Sequence, residues 1–229
     1  MTLVLDDIAF ARPEFRLSAD ITLEQGERVA IIGPSGGGKS TLLSVIAGFD
    51  LPDRGRVLWE GKDLTPLGPE ARPVSMLFQD NNLFPHLDVE TNVALGLEPV
   101  ARPSANARKK AREALARVGL TEQVGKKPGA LSGGQQSRAA LARLVMTARP
   151  LVLLDEPFAA LGPALRREMW DLLRGLLPEA TVLMVTHDPD EAARSASQII
   201  FVEDGAVRPP QETAAFFATV DERVRAYLS

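Results

Sequence analysis

The chain has no cysteine and only two histidines, His86 and His187. The missing thiols exclude disulfides, thiolate zinc sites, iron–sulfur ligation and a cysteine nucleophile, and they leave the redox compartment open. Two histidines are too few for a His-rich metal cluster. Long hydrophobic runs are also missing. The longest are short ones such as Val29 to Ile32, Leu151 to Leu154 and Ile199 to Val202, where a membrane span needs about 20 apolar residues. They read instead as buried strands. There is no excess of positive charge: 26 Lys and Arg stand against 30 Asp and Glu, a formal net charge of -4. That balance argues against a whole-protein grip on nucleic acid. Met1 to Asp7 carries neither the basic nor the apolar region of a secretory signal, so a cytoplasmic address is expected. What the chain does have is material for a core: 229 residues, 45% of them hydrophobic, enough for one large domain or two small ones.

Short apolar runs alternate with longer helical patterns, which points to a mostly parallel sheet covered by helices. The run Arg28 to Ile32 leads through a glycine cluster into a helix over Lys39 to Ala47, with Gly48 as its stop. Leu3 to Leu5, Leu17 to Leu23 and Gly55 to Lys62 are expected to form an antiparallel layer, and Val74 to Phe78 a further strand. From about Gln79 to Leu131 the pattern is helical. One helix covers Ala105 to Val118, and its Arg108-Lys109-Lys110 cluster reads as a solvated face. Strands return at Leu151 to Leu154, Thr181 to Thr186 and Ile199 to Glu203, and Asp204-Gly205 signals a hairpin. No linker is visible, so the expectation is one domain with a helical insertion, the core near residues 1–78 and 150–229 and the insertion near 79–149.

Gly33-Pro34-Ser35-Gly36-Gly37-Gly38-Lys39-Ser40 matches the phosphate-binding P-loop pattern in full, with a strand running in and a helix running out. Glycines let backbone N–H groups close around phosphate oxygens, and the helix N-terminus adds a favourable dipole. Lys39 is then expected on the β- and γ-phosphates, Ser40 on Mg²⁺, and Thr41 on the α-phosphate. Leu151 to Leu154 is followed by Asp155-Glu156. In an open sheet Asp155 would stand at the strand's C-terminal edge near the P-loop, there to hold Mg²⁺. Glu156 would orient and polarise an attacking water.

Leu131-Ser132-Gly133-Gly134-Gln135 opens a further helix, Gly134 to Ala148, and reads as a second phosphate cradle made of the Ser132 hydroxyl and backbone amides. The P-loop already surrounds one side of a nucleotide. The second cradle must therefore act on another nucleotide, or on the same one from another subunit. This pentapeptide is the signature motif of ATP-binding subunits of ABC transporters, and the chain resembles that family over nearly its whole length. The resemblance implies a P-loop NTPase (RecA-like) α/β core with an antiparallel β subdomain and an inserted α-helical subdomain. It also implies ATP and Mg²⁺ as ligands and a homodimer that sandwiches ATP between facing Lys39 and Ser132 sites. The expected partners are a transmembrane permease and, indirectly, a periplasmic substrate-binding protein, with no nucleic acid; the expected place is the cytoplasmic face of the inner membrane. By the same resemblance Gln79 is the Q-loop residue that touches Mg²⁺ and the γ-phosphate, and His187 is the switch histidine beside the γ-phosphate and Glu156. His86 has no such placement.

Two features depart from the family pattern. The D-loop, usually Ser-Ala-Leu-Asp, is Ala159-Ala160-Leu161-Gly162. The usual adenine-stacking tyrosine is missing, and Arg12 stands nearest its place, with Phe10 and Phe15 as alternatives. From the length, the C-terminal regulatory domain of the longer sugar importers is not expected. The run Met76-Leu77-Phe78-Gln79-Asp80-Asn81-Asn82-Leu83-Phe84 resembles the thiamine-import branch of the family. Residues after the Q-loop line the groove for the permease, so their identity tracks the partner. Importers of polyamine, iron or molybdate type, a non-transport ABC ATPase and a simple P-loop kinase or NTPase are the alternatives.

Overall fold

A computed structural model describes residues 2–219 and 222–228; Met1, where a leader would begin, lies outside them. The chain opens with strands β1 (Thr2–Arg12), β2 (Phe15–Glu24) and β3 (Arg28–Ile32), then helix α1 (Lys39–Ala47) and strands β4 (Arg54–Trp59), β5 (Lys62–Asp63) and β6 (Val74–Leu77). Helices α2 (Val89–Ala94), α3 (Ala105–Arg117) and α4 (Gly133–Met146) follow. After them come β7 (Leu151–Asp155), α5 (Pro163–Leu176), β8 (Thr181–Val185), α6 (Pro189–Ser195), β9 (Gln198–Glu203), β10 (Ala206–Val207) and β11 (Gln211–Glu212). Helices α7 (Thr213–Ala218) and α8 (Glu222–Leu228) end the chain. Two compact units result, one from residues 1–74, 151–155 and 179–229, the other from 75–150 and 156–178.

In the first unit the sheet runs β5-β4-β1-β2-β10-β9-β3-β8-β7, with β11 on β9. Its two halves follow from two kinds of sequence pattern. Along β2, buried Leu17, Ala19, Ile21 and Leu23 alternate with exposed partners, the period-two signature of an antiparallel strand wet on one side. It pairs antiparallel with β1, which pairs antiparallel with β4. By contrast β8 is buried at all five positions, as suits a strand covered on both faces. β9, β3, β8 and β7 are mutually parallel. The α/β class read from the sequence is the observed one. Asp204 and Gly205 both adopt positive φ, 48° and 74°, and turn β9 into the antiparallel β10.

Helix α1 is held at its C-terminal end by a residue that no local pattern announces. Arg72 is fully buried. Its Nη1 donates to Val45 O and Ile46 O at 2.8 Å each, and its Nε and Nη2 donate to Leu67 O at 3.0 Å and Thr65 O at 3.3 Å. Burial lowers the guanidinium pKa, and Asp63 opposes that. The C-terminal carbonyls of α1 thus receive a cation where the helix dipole favours one. Gly48 makes room for it: at φ 87° it closes the helix, and a Cβ there would lie 2.5 Å from Arg72 Nε. Arg72→Met should destabilise the chain by about 3 kcal/mol or more by orphaning buried carbonyls. That is a fall in Tm of about 6–12 °C, measurable by thermal unfolding.

The second unit has its own core, in which Ala107, Ala111, Ala114, Leu115, Ala139 and Ala142 let α3 and α4 approach closely over Val89 and Val93 of α2. On α3, Lys109 and Lys110 are exposed as the charge pattern predicts. Arg108 is not simply solvated: with Arg112 it pairs to the buried Glu90, at 3.5 and 2.6 Å. A buried carboxylate must find cations, and the α3 face supplies them.

Candidate functional site

The P-loop joins β3 to α1 in the first unit. A Cβ on Gly33 would run into the carbonyl oxygen of Val202, and one on Gly37 would lie 2.9 Å from the same atom. The β9–β10 hairpin is thus packed directly against the loop, and Gly205 N–H donates to Gly37 O at 2.9 Å. Only bare backbone fits there. Lys39 is buried to 6% exposure, with Nζ donating to Gly33 O and Pro34 O at 2.8 Å each. Ser35 and Gly36, at the tip, are exposed. Thr41 sits in the first turn of α1.

β8 lies between β3 and β7, yet Ser40 and Asp155 meet across it: Ser40 Oγ donates to Asp155 Oδ1 at 3.2 Å. A hydroxyl and a carboxylate from two segments are hard oxygen donors, and so few of them suit Mg²⁺, which takes its remaining ligands from water and phosphates. The residues fit that ion. Among the described residues no three His, Asp or Glu side chains gather into a cage.

Also in the first unit, His187 is exposed one residue beyond the buried Thr186. Its backbone is set by neighbours that sequence reading passed over. Thr186 Oγ1 donates to Glu191 and accepts from Asp188 N–H at 3.1 Å. Asp188 caps α6 by accepting from the N–H groups of Asp190 and Glu191 at 3.0 and 3.1 Å. The signal was available: Asp188 before Pro189 is an N-cap before a first-turn proline. Of the three adenine-stacking candidates, Arg12 is engaged with Asp50 at 2.9 Å and lies 4.1 Å over the Phe10 ring. Phe10 is buried. Phe15 is the ring beside the loop, its Cζ 2.7 Å from where a Gly38 Cβ would be.

In the second unit Glu156 has φ 46°, a left-handed conformation that costs an ordinary residue about 1–2 kcal/mol. Such strain concentrates at functional positions. Gln79 is exposed in the turn after β6. Ser132 is the N-cap of α4, not a free hydroxyl. Its Oγ accepts from Gln135 N–H at 3.3 Å, and Gln135 Oε1 accepts from Ser132 N–H at 3.0 Å, a complete capping box. The Ser-x-x-Gln spacing carried this in the sequence. The helix-end amides with no intrahelical acceptor are then those of Gly133 and Gly134, and the hydroxyl proton of Ser132 can still be donated. The two glycines differ. A Cβ on Gly134 would meet Leu165 Cδ2 at 2.5 Å, whereas Gly133 has open space. Gly134 lets α4 pack on α5, and the space beside Gly133 is open.

The D-loop ends in Gly162, the N-cap of α5, with φ -65° and no side-chain cap. Nothing lies within 4 Å of a Cβ placed there. Gly162→Asp therefore fits without strain and gains a capping carboxylate, for a few tenths of a kcal/mol in stability. A carboxylate there should also raise the Hill coefficient for ATP. An ATP dependence identical to that of the parent chain would show that the glycine is compensated elsewhere.

A family model described as "ABC transporter" matches residues 18–159. The chain is 57% identical over 226 residues to the thiamine import ATP-binding protein ThiQ of Cereibacter sphaeroides, covering 98% of each chain. It is 50% identical over 226 residues, again 98% of each, to the protein of that name from a Ruegeria species. Among solved structures, the ATP-binding cassette MJ0796 resembles it at 32% identity, over 93% of this chain and 99% of that one. The dimeric post-hydrolysis state bound to ADP and Pi gives a TM-score of 0.77, and a second dimeric structure gives 0.78. No helix among the described residues is long and apolar enough to cross a membrane. The matched segment contains the P-loop around Lys39, the Ser132 cap and the Asp155–Glu156 pair, and with it this chain belongs to the ABC transporter family.

Proposed function

We propose that the chain is the ATP-hydrolysing subunit of an ABC importer and that the imported solute is thiamine. The contact between Ser40 and Asp155 beside the buried Lys39 carries the ATPase reading. The substrate rests on likeness over nearly the full length to thiamine import ATP-binding proteins. Residues 1–229 act as one ATPase domain whose helical part, about 79–149, carries the signature. Residues 33–41 hold the triphosphate, Lys39 on its β- and γ-phosphates and Thr41 on the α-phosphate. Arg12 or Phe15 borders the adenine. Ser40, Gln79 and Asp155 would hold Mg²⁺, and bound Mg²⁺ would supply neutralising charge on the phosphate oxygens. Glu156 orients the attacking water, and His187 holds the γ-phosphate. Ser132, Gly133, Gly134 and Gln135 close the site from a second copy, in keeping with the dimeric state of the related cassette.

The chain sits at the cytoplasmic face of the inner membrane, where it meets a transmembrane permease and, through it, acts indirectly with a periplasmic binding protein. The segment Asn81 to His86 forms part of the permease dock. Leu83 packs against the helical core, whereas Phe84 is 45% exposed with His86 edge-on at 6.0 Å. Phe84→Asp should therefore lower transport about ten-fold or more, as loss of an interface anchor does, with ATPase of the isolated chain nearly unchanged. The substrate is tested by uptake in a strain lacking the chain: thiamine import is lost, and is restored by the chain but not by its Lys39→Ala variant. Normal thiamine import with loss of polyamine, iron or molybdate import would refute thiamine. Hydrolysis by a monomer, with no import defect at all, would refute the importer.

A further inference from the structure

Helix α4 begins at the Ser132 cap, and Arg143 lies near its far end, about 16 Å along the axis at 1.5 Å per residue. There the guanidinium closes the turn that follows Gln79. Its Nη1 donates to Asn82 O at 2.7 Å and its Nη2 to Asn81 O at 3.1 Å. Asn81 and Asn82 both adopt left-handed backbone, φ 60° and 47°, a conformation that has to be held by its surroundings. Burial lowers the pKa of Arg143, and Asp80 in the same turn opposes that; the Phe84 ring lies 5.9 Å from its Cζ. The planar fork sets a separate nitrogen on each of the two neighbouring carbonyls, which fixes their spacing and orientation together.

The other side of the loop is tied to α2. Asn92 is fully buried; its Oδ1 accepts from Phe84 N–H at 2.7 Å, and its Nδ2 donates to the carbonyls of Phe84, Leu87 and Asp88 at 3.0–3.2 Å. The loop is thus fastened to both helices, and one of them carries at its opposite end the Gly133 and Gly134 amides. We propose that Arg143 is a positioning residue that ties the turn after Gln79 to the helix headed by Ser132, so that the ATP-facing end of α4 and the docking loop move as one body. The inference rests on the ATP-sandwich reading above, in which the Ser132 end meets nucleotide.

Backbone amide exchange on the full chain tests it without any permease, in a Glu156→Gln background with and without Mg-ATP. With Arg143 present, ATP should slow exchange at residues 133–136 and also at 80–83. In Arg143→Met the response at 133–136 should remain, with ATP affinity nearly unchanged. Exchange at 80–83 should run about ten-fold faster or more and no longer respond to ATP. Arg143→Lys should recover part of the response. If residues 80–83 still respond in Arg143→Met, the loop takes its state from elsewhere and the inference falls. It also falls if residues 137–146 lose protection in that variant without ATP, since Arg143 would then only hold the helix in place. Failure of ATP to protect residues 133–136 in the protein that keeps Arg143 would instead refute the sandwich, and the inference with it.

Discussion

Replacing Lys39 by alanine is expected to bring ATP hydrolysis to background, a loss of at least about 10²- to 10³-fold, the range seen when one preorganised stabiliser of developing charge is removed. Lys39 is almost wholly buried, and its Nζ holds the carbonyls of Gly33 and Pro34. The variant therefore loses both the phosphate-facing charge and a brace on the loop. Two measurements separate these: phosphate release gives the catalytic loss, and binding of a fluorescent ATP analogue gives the loss from loop relaxation. Lys39→Arg should not rescue turnover, because a wider, planar guanidinium does not fit where the ammonium lies between two carbonyls. Turnover unchanged in Lys39→Ala would overturn the assignment of the nucleotide site.

Glu156→Gln should have an effect as large on hydrolysis and none on binding. A residue that positions or deprotonates water contributes about 10²- to 10⁴-fold, and the amide keeps the shape of the side chain while losing its charge. With ATP still bound and uncleaved, the variant should accumulate as a dimer, visible by sedimentation at saturating Mg-ATP. Monomer alone under those conditions would count against a sandwich. The backbone makes a further distinction. At φ 46° Glu156 is strained, and glycine tolerates that conformation. Glu156→Gly should be inactive yet no less stable to urea, the behaviour of a residue retained for chemistry at some cost in stability.

Much of this architecture is legible in the chain itself. The strand–glycine loop–helix from Arg28 to Ala47, the four apolar residues before Asp155-Glu156, the alternation along β2 and the Asp204-Gly205 hairpin are all local patterns, and covalent spacing alone dictates them. The α/β class with its antiparallel layer and helical insertion follows from the order in which those patterns occur. The tertiary structure decided how particular side chains are spent. Ser132 is occupied in a capping box, Gly134 is an α4–α5 packing contact, and Arg12 is turned to Asp50 while Phe15 borders Gly38. Arg72, Arg143 and the Ser40–Asp155 pair are tied to partners 27, 62 and 115 residues away in sequence. Such contacts form only when the sheet order and helix packing bring distant backbone together, and a buried guanidinium then takes whichever carbonyls the fold leaves without partners. No spacing rule encodes that choice, because the acceptors are backbone atoms that every residue carries.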